Sequence, residues 1–309
     1  MTSHLLTRRQ FSARCAALSL SLPALSAIAA AETAARTVRL PDGTSVPALG
    51  QGAWHLGQGR HSQADEAAAV RAGISLGMTL LDTSGNYGNG RSEQFLSHVL
   101  ADQRSRIYLV SKVESDEVSG DGIPRACAAS LARLGTDHLD LYLLHSPVPS
   151  AQFAGVVVEF EKLKSAGKIG AWGVSNFSTA QMQDLFRVPN GQHCATNQVA
   201  YSLGNRGIER DLLPWCTQHN IPVMAYSPLG GDSGSLVRDP TLAQIGAAHG
   251  CSAAAIALAW SIRSGTVIAI PESGSLAHAK ENAAALTVAL TPGDIAKLTA
   301  AYPGPAGAA

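Results

Sequence analysis

The chain has 309 residues, 46% of them hydrophobic, and its 23 basic side chains balance 23 acidic ones. Such a length buries a substantial core, as one large domain or two ordinary ones. With no basic excess to neutralise phosphates, neither nucleic acid nor an anionic membrane surface is an expected partner.

The chain opens on "TRRQFSARCAALSLSLPALSAIAAAE" (7–32), where Arg8, Arg9 and Phe11 precede an uncharged run from Cys15 to Ala31. A basic start, a short apolar stretch and small residues near Ala27–Ala31 are the order of a signal peptide. The run is too short and too weakly apolar to span a bilayer, which takes about 20 strongly apolar residues. The arginine pair followed by Phe resembles a twin-arginine export address. Residues 1–31 are therefore expected to be a leader to the periplasm, with a cytoplasmic protein as the alternative, and residues 32–309 to be the working domain.

"TVRLPDGTSVPALG" (37–50) carries an Asp-Gly turn between extended segments and predicts a β-hairpin. Short runs then recur: "ALGQGAW" (48–54), "MTLLDT" (78–83), "IYLVSK" (107–112), "LDLYLLH" (139–145), "GAWGVSN" (170–176), "ATNQVA" (195–200), "IPVMAYS" (221–227) and "GTVIAIP" (265–271). They are nearly continuously apolar, as strands covered on both faces are. Helical stretches alternate with them, such as 62–77 with Ser62 as N-cap, 92–102, 160–168 and one from about Pro292. Eight such units without a composition shift predict a single (β/α)8 barrel, its bottom closed by the hairpin. A doubly wound sheet is the alternative, but no G-x-G-x-x-G follows a strand.

Outside the leader lie Cys127, Cys194, Cys216 and Cys251, with no C-x-x-C pair and no metal-ligand spacing, so no metal site is expected. Buried free thiols are the expectation, and Cys194 with Cys216 is the pair to inspect for a disulfide.

Chemistry in such barrels gathers at the carboxyl ends of the strands. Those ends carry Asp82, Lys112, His145, Ser175 with Asn176, Gln198, and Tyr226 with Ser227, polar residues whose burial is costly unless they pair. A lysine between the carboxylate of Asp82 and the phenol of Tyr87 is expected to pull the tyrosine pKa down. Tyr87 then protonates an alkoxide, with His145 orienting a carbonyl oxygen. A rival use of Lys112 is as Schiff-base nucleophile in an aldolase-like barrel. Another rival is a sensor or partner module that keeps a cofactor site and does little catalysis.

Seven segments in order, "LLDTSGNYGNG", "LVSKV", "DLYLLHSP", "GVSNF", "NQVAYS", "AYSPL" and "IPESGSLAHAKEN", resemble the signatures of the aldo-keto reductase superfamily. The resemblance implies a barrel that binds NADP(H) or NAD(H) across its top and reduces aldehydes, ketones or small dicarbonyls. By position it implies Asp82, Tyr87, Lys112 and His145 as catalytic. It also implies Ser175, Asn176 and Gln198 around the nicotinamide carboxamide, with Tyr226 stacked on the ring. Ser227, Pro228 and Leu229 fall beside the pyrophosphate, and Ser273, Glu281 and Asn282 around the adenosine. Segments such as "RGIERDLLPWC" look closest to bacterial reducers of methylglyoxal. A monomer taking a small carbonyl substrate is expected.

Two departures bear on the cofactor: Glu272 stands where NADPH-preferring relatives usually have lysine, and His278 where they usually have arginine. A carboxylate beside a 2′-phosphate is repulsive, whereas it accepts hydrogen bonds from a ribose diol. A weaker hold on NADPH, or a preference for NADH, is expected. Ser146 replaces a tryptophan common in relatives, so Trp54 is expected to form the aromatic wall of an open substrate pocket.

Overall fold

The structure, a computed structural model, describes residues 36–306, so the expected leader lies outside the described residues. Strands β1 (Thr37–Arg39) and β2 (Ser45–Pro47) pair antiparallel, with Val38 opposite Val46. The turn between them follows from Asp42, whose Oδ1 accepts from Thr44 N at 2.9 Å, and from Gly43 at φ 90°.

Eight parallel strands follow in strictly consecutive order: β3 (Gln51–Gly52), β4 (Leu80–Asp82), β5 (Tyr108–Val113), β6 (Leu139–Leu144), β7 (Ile169–Ser175), β8 (Asn197–Ala200), β9 (Val223–Tyr226) and β10 (Val267–Ala269). The ends of the sheet meet. Gly50 N donates to Ala269 O at 2.8 Å, Ala269 N to Ala48 O at 2.8 Å, and Gly52 N to Pro271 O at 3.0 Å. A doubly wound sheet would break the consecutive order, so the fold is a (β/α)8 barrel.

Helices cover the outside: α1 (Gln63–Ser75), α2 (Arg91–Leu100), α3 (Gly122–Leu134), α4 (Phe153–Ser165), α5 (Thr179–Arg187), α6 (Leu212–Gln218), α7 (Pro240–His249), α8 (Ala253–Ser261), α9 (Leu276–Ala284) and α10 (Pro292–Ala301). Ser62 caps α1 by accepting from Asp65 N, and Thr291 with Asp294 forms a capping box on α10. Two helices, α7 and α8, fill the single crossover between β9 and β10. Helix α4 begins well before the expected 160, because Phe153, Val156 and Val157 extend its buried face. Strand pairing at 48–54 is confined to Gln51–Gly52 and flanking bridges.

Alternation along the strands divides the core into two layers. Leu80, Val110, Leu141, Leu143, Met224 and Ile268 share one cluster with Val38, Leu40 and Val46 of the hairpin, which plugs the barrel interior from below. Leu81, Leu109, Tyr142, Leu144 and Trp172 face outward onto Phe95, Ile123, Phe153 and Phe160 of the helices. Among the described residues no single helix is long and apolar enough to cross a membrane. Cys127, Cys194, Cys216 and Cys251 are all free thiols; burial pushes Cys194 and Cys216 up to about 12 and Cys127 up to about 11.

Candidate active site

Parallel pairing sets Asp82 of β4 opposite Val110 of β5, and Lys112, two residues further, points into the same interior. Lys112 Nζ donates to Asp82 Oδ2 at 2.8 Å, to Thr83 O at 2.8 Å and to Tyr87 Oη at 2.9 Å. All three ammonium protons are thus used. Gln198 Nε2, from β8, donates to the other Asp82 oxygen at 2.8 Å.

Tyr87 reaches this position on a loop whose Gly88, Asn89 and Gly90 all have positive φ. A Cβ at Gly88 would lie 2.6 Å from the Gln58 side chain, and one at Gly90 would lie 2.7 Å from Arg133. Arg133 in turn donates to Glu93 Oε2 at 2.6 Å, and Ser111 holds the other Glu93 oxygen at 2.6 Å. The glycines of "NYGNG" therefore let the phenol loop lie close against Gln58 on one side and the braced Arg133–Glu93 pair on the other.

Burial alone would drive Lys112 towards a neutral amine, but Asp82 and Tyr87 more than offset it, and its pKa lies above the ordinary value. An amine held protonated and fully buried is unsuited to Schiff-base attack, which counts against the aldolase reading. Tyr87 departs from expectation. Burial, its largest influence, pushes the phenol up; Lys112 pulls it down, Asp82 and Glu114 push it up again, and the net direction is upward. The lysine moderates a shift that it does not reverse.

His145, at the end of β6, presents its ring to Tyr87 edge-on, with centroids 5.7 Å apart. Its Nδ1 hydrogen-bonds Glu114 Oε1, and Ser84 Oγ lies 3.3 Å from the same nitrogen. His145 Nε2 has no hydrogen-bond partner among the described residues.

These side chains open into a cavity of about 510 Å³ at the carboxyl ends of the strands. Trp54, Tyr87, His145, Ser175, Asn176, Gln198, Tyr226, Ser227, Pro228, Leu229 and Glu272 all line it. Trp54 is 52% exposed, stacked on His55 at 4.4 Å and 6.5 Å from the Tyr87 ring. Asn176 Nδ2 donates to His145 O at 3.1 Å, and its Oδ1 accepts from Tyr226 Oη at 2.9 Å. Asn176 and Ser227 hold φ of 62° and 50°, backbone strain that gathers at functional strand ends. Ser146 is half-buried and does not line the cavity, its side chain being too short to reach it.

A second, polar cavity of about 180 Å³ adjoins the first and shares His55, Arg60 and Glu272 with it. Ser273 and His278 line it, as do His61 and Glu66. Glu272 is tied down: Oε2 accepts from His55 N at 2.9 Å, and Oε1 lies 3.0 Å from His55 Nδ1. Glu66 is fully buried; one oxygen accepts from Gly57 N at 2.8 Å and the other has no partner among the described residues. Glu281 and Asn282, expected near the same end, line neither cavity: Glu281 is exposed on α9 and Asn282 is packed beneath it.

Residues 48–303 match the model of the Aldo/keto reductase family. The chain belongs to this family. Methylglyoxal reductase YeaE of Escherichia coli (strain K12) is 46% identical over 275 residues, which cover 88% of this chain and 96% of that protein. An aldo/keto reductase of Klebsiella pneumoniae solved with NADP and acetate superposes with a TM-score of 0.84 at 43% identity, covering 88% of this chain and 96% of its own. An aldo-keto reductase of Klebsiella pneumoniae solved with NADPH gives 0.84 at 42% identity, covering 90% and 98%. This aldo/keto reductase is thus an oxidoreductase of the nicotinamide-dependent kind. The strand-end pattern missed His55, Arg60 and Glu66, which line the cavities, and Glu114, which hydrogen-bonds His145. Glu114 lies only two residues past Lys112, but the acidic run that follows it reads as surface, and the β5–β6 register is what sets it against His145.

Proposed function

We propose that this reductase converts small aldehydes, ketones or dicarbonyls of the methylglyoxal type to alcohols, with Tyr87 as proton donor. One observation carries the reading: a single buried ammonium lies 2.8 Å from a carboxylate and 2.9 Å from a phenol at the floor of an open cavity. A reduced nicotinamide coenzyme, when bound, supplies hydride to the carbonyl carbon. The cavity fits such a group. Gln198 Nε2 is committed to Asp82, while its Oε1 accepts no hydrogen bond among the described residues and stays available to an amide N–H. Ser175, Asn176 and Tyr226 offer further polar and aromatic surface beside it.

Tyr87 then transfers its proton to the oxygen that becomes an alkoxide, and Lys112 stabilises the phenolate left behind. A phenol with a raised pKa remains competent, because an alkoxide is far more basic than a phenolate. Similarity to the Escherichia coli methylglyoxal reductase supports the substrate class.

The coenzyme reading follows from Glu272. Fixed by His55 between the two cavities, with the buried Glu66 beside it, it disfavours a 2′-phosphate and suits a ribose diol; Arg60 is the opposing cation. A preference for NADH, or weak discrimination, is the proposal. Export of the folded protein by residues 1–31 is proposed from sequence alone. The test is loss of reduced-coenzyme absorbance, for NADH and NADPH separately, against methylglyoxal and a panel of small aldehydes. Turnover is expected with the dicarbonyls; no turnover with any carbonyl compound and either coenzyme would sink the reading.

A further inference from the structure

Glu114 belongs to none of the expected site residues, yet the barrel brings it against one of them. In the β5–β6 register Val113 pairs with Leu144, and His145 N donates to Val113 O at 2.9 Å. The next residue on each strand is therefore Glu114 on one side and His145 on the other. Their side chains hydrogen-bond through Glu114 Oε1 and His145 Nδ1, with Ser84 Oγ 3.3 Å from Nδ1 and 3.4 Å from Oε1. Both side chains are largely shielded, at 27% and 17% exposure, so solvent does not readily replace either partner.

That contact decides what the other ring nitrogen can do. The proton between Oε1 and Nδ1 sits on the ring nitrogen, which donates to the carboxylate. Nε2, the nitrogen left for the cavity, then donates only if the pair holds a second proton. With one proton shared and Glu114 ionised, Nε2 presents a lone pair, which repels a carbonyl oxygen and accepts from an alcohol.

We infer that Glu114 is a positioning residue that makes the two-proton state of the Glu114–His145 pair the form competent for carbonyl reduction, and the one-proton state the form suited to alcohol oxidation. This rests on the reductase reading of the same site. The groups facing His145 are few. Tyr87 and Ser84 come from the loop after β4. Glu114 follows β5, and the Lys112 ammonium on that strand lies behind Tyr87, paired with Asp82. Asn176, after β7, is uncharged and donates to the His145 carbonyl oxygen. Among the described residues Glu114 is the charged partner of Nδ1 and Ser84 the neutral one, so the carboxylate governs that nitrogen.

Glu114→Gln separates this role from packing. A glutamine amide donates an N–H to Nδ1, so a neutral imidazole carries its proton on Nε2 and donates to the carbonyl without a second proton. The pH profile of kcat/KM for methylglyoxal reduction should fall about tenfold per pH unit on its alkaline side in the wild type, as one proton leaves the pair. In Glu114→Gln that limb should vanish up to the higher pH where Tyr87 ionises, so that the variant overtakes wild type at alkaline pH. Glu114→Asp should restore the limb. Nitrogen-15 spectra of histidine-labelled protein, with His145 assigned through His145→Ala, should show a protonated Nδ1 in wild type and an unprotonated Nδ1 in Glu114→Gln.

A uniform drop of the Glu114→Gln profile at every pH, with the limb unmoved, would overturn the inference and leave Glu114 as packing. So would an unprotonated Nδ1 in wild type. If wild type reduces no carbonyl compound at any pH, the reductase reading fails, while the nitrogen spectra still decide whether Glu114 sets the ring's protonation.

Discussion

Asp82→Asn isolates the ion pair on which the site is built. The wild-type carboxylate accepts on both oxygens, from Lys112 at 2.8 Å and from Gln198 at 2.8 Å. An amide offers one acceptor oxygen and one N–H2 group. Either orientation therefore turns a donor towards Lys112 or towards Gln198, inside a site where Asp82 is 2% exposed. Losing the counter-charge of a buried pair costs about 3–5 kcal/mol, against a total stability of about 5–15 kcal/mol. Lys112 also sheds its proton more easily, so the phenolate of Tyr87 loses its stabilising charge. The urea midpoint should drop accordingly, and kcat should fall by about 10²–10⁴-fold where the variant remains folded. The assay pairs urea unfolding followed by circular dichroism with reductase turnover at a temperature both proteins tolerate. A variant within about 1 kcal/mol of wild type and with undiminished kcat would refute the reasoning.

Glu272→Lys should move coenzyme preference towards NADPH by about tenfold or more, because one unit-charge interaction near 4 Å is worth about 1 kcal/mol in water-like surroundings and about 4 at a protein surface; competing titrations of the two coenzymes measure it, and an unchanged ratio speaks against a role for Glu272. Alkaline stability follows from the buried thiols. Cys127, held near about 11, and Cys194 and Cys216, held near about 12, keep protons in the folded state that the unfolded chain releases. Their contribution is whole below the ordinary thiol pKa of about 8.5 and is lost as pH rises towards these values, by up to about 1.4 kcal/mol per pH unit per thiol. Urea midpoints should therefore fall between about pH 8.5 and about pH 11, and a flat profile would contradict this. Replacing Arg8 and Arg9 by lysine should retain the protein in the cytoplasmic fraction; equal partitioning of variant and wild type would remove the export proposal.

Much of this architecture was legible because a parallel strand buried on both faces tolerates polar residues only where they find partners. Asp82, Lys112, His145 and Gln198 stood out against apolar runs for that reason, and the barrel brings them together. What stayed hidden depends on contacts across the chain. Glu114 sits in "VESDE", where acids read as solvated surface, and only the β5–β6 register places it on His145. His55 meets Glu272 across 217 positions of sequence. The direction of the Tyr87 shift needed the depth of its burial, which no local motif states, so the lysine's pull was visible and the larger opposing effect was not. Helix α9 shows the same limit: Glu281 lies on its exposed face and Asn282 is buried beneath it, and neither lines a cavity.

The most direct test of proton donation is Tyr87→Phe, measured for methylglyoxal turnover and for coenzyme binding by fluorescence quenching on the same preparation. The phenyl ring keeps the wall beside Trp54 and His145 and removes only the hydroxyl 2.9 Å from Lys112 Nζ. Turnover should fall by about 10²-fold or more while coenzyme affinity stays within about twofold. Reduction at the wild-type rate in this variant would contradict the account at its centre.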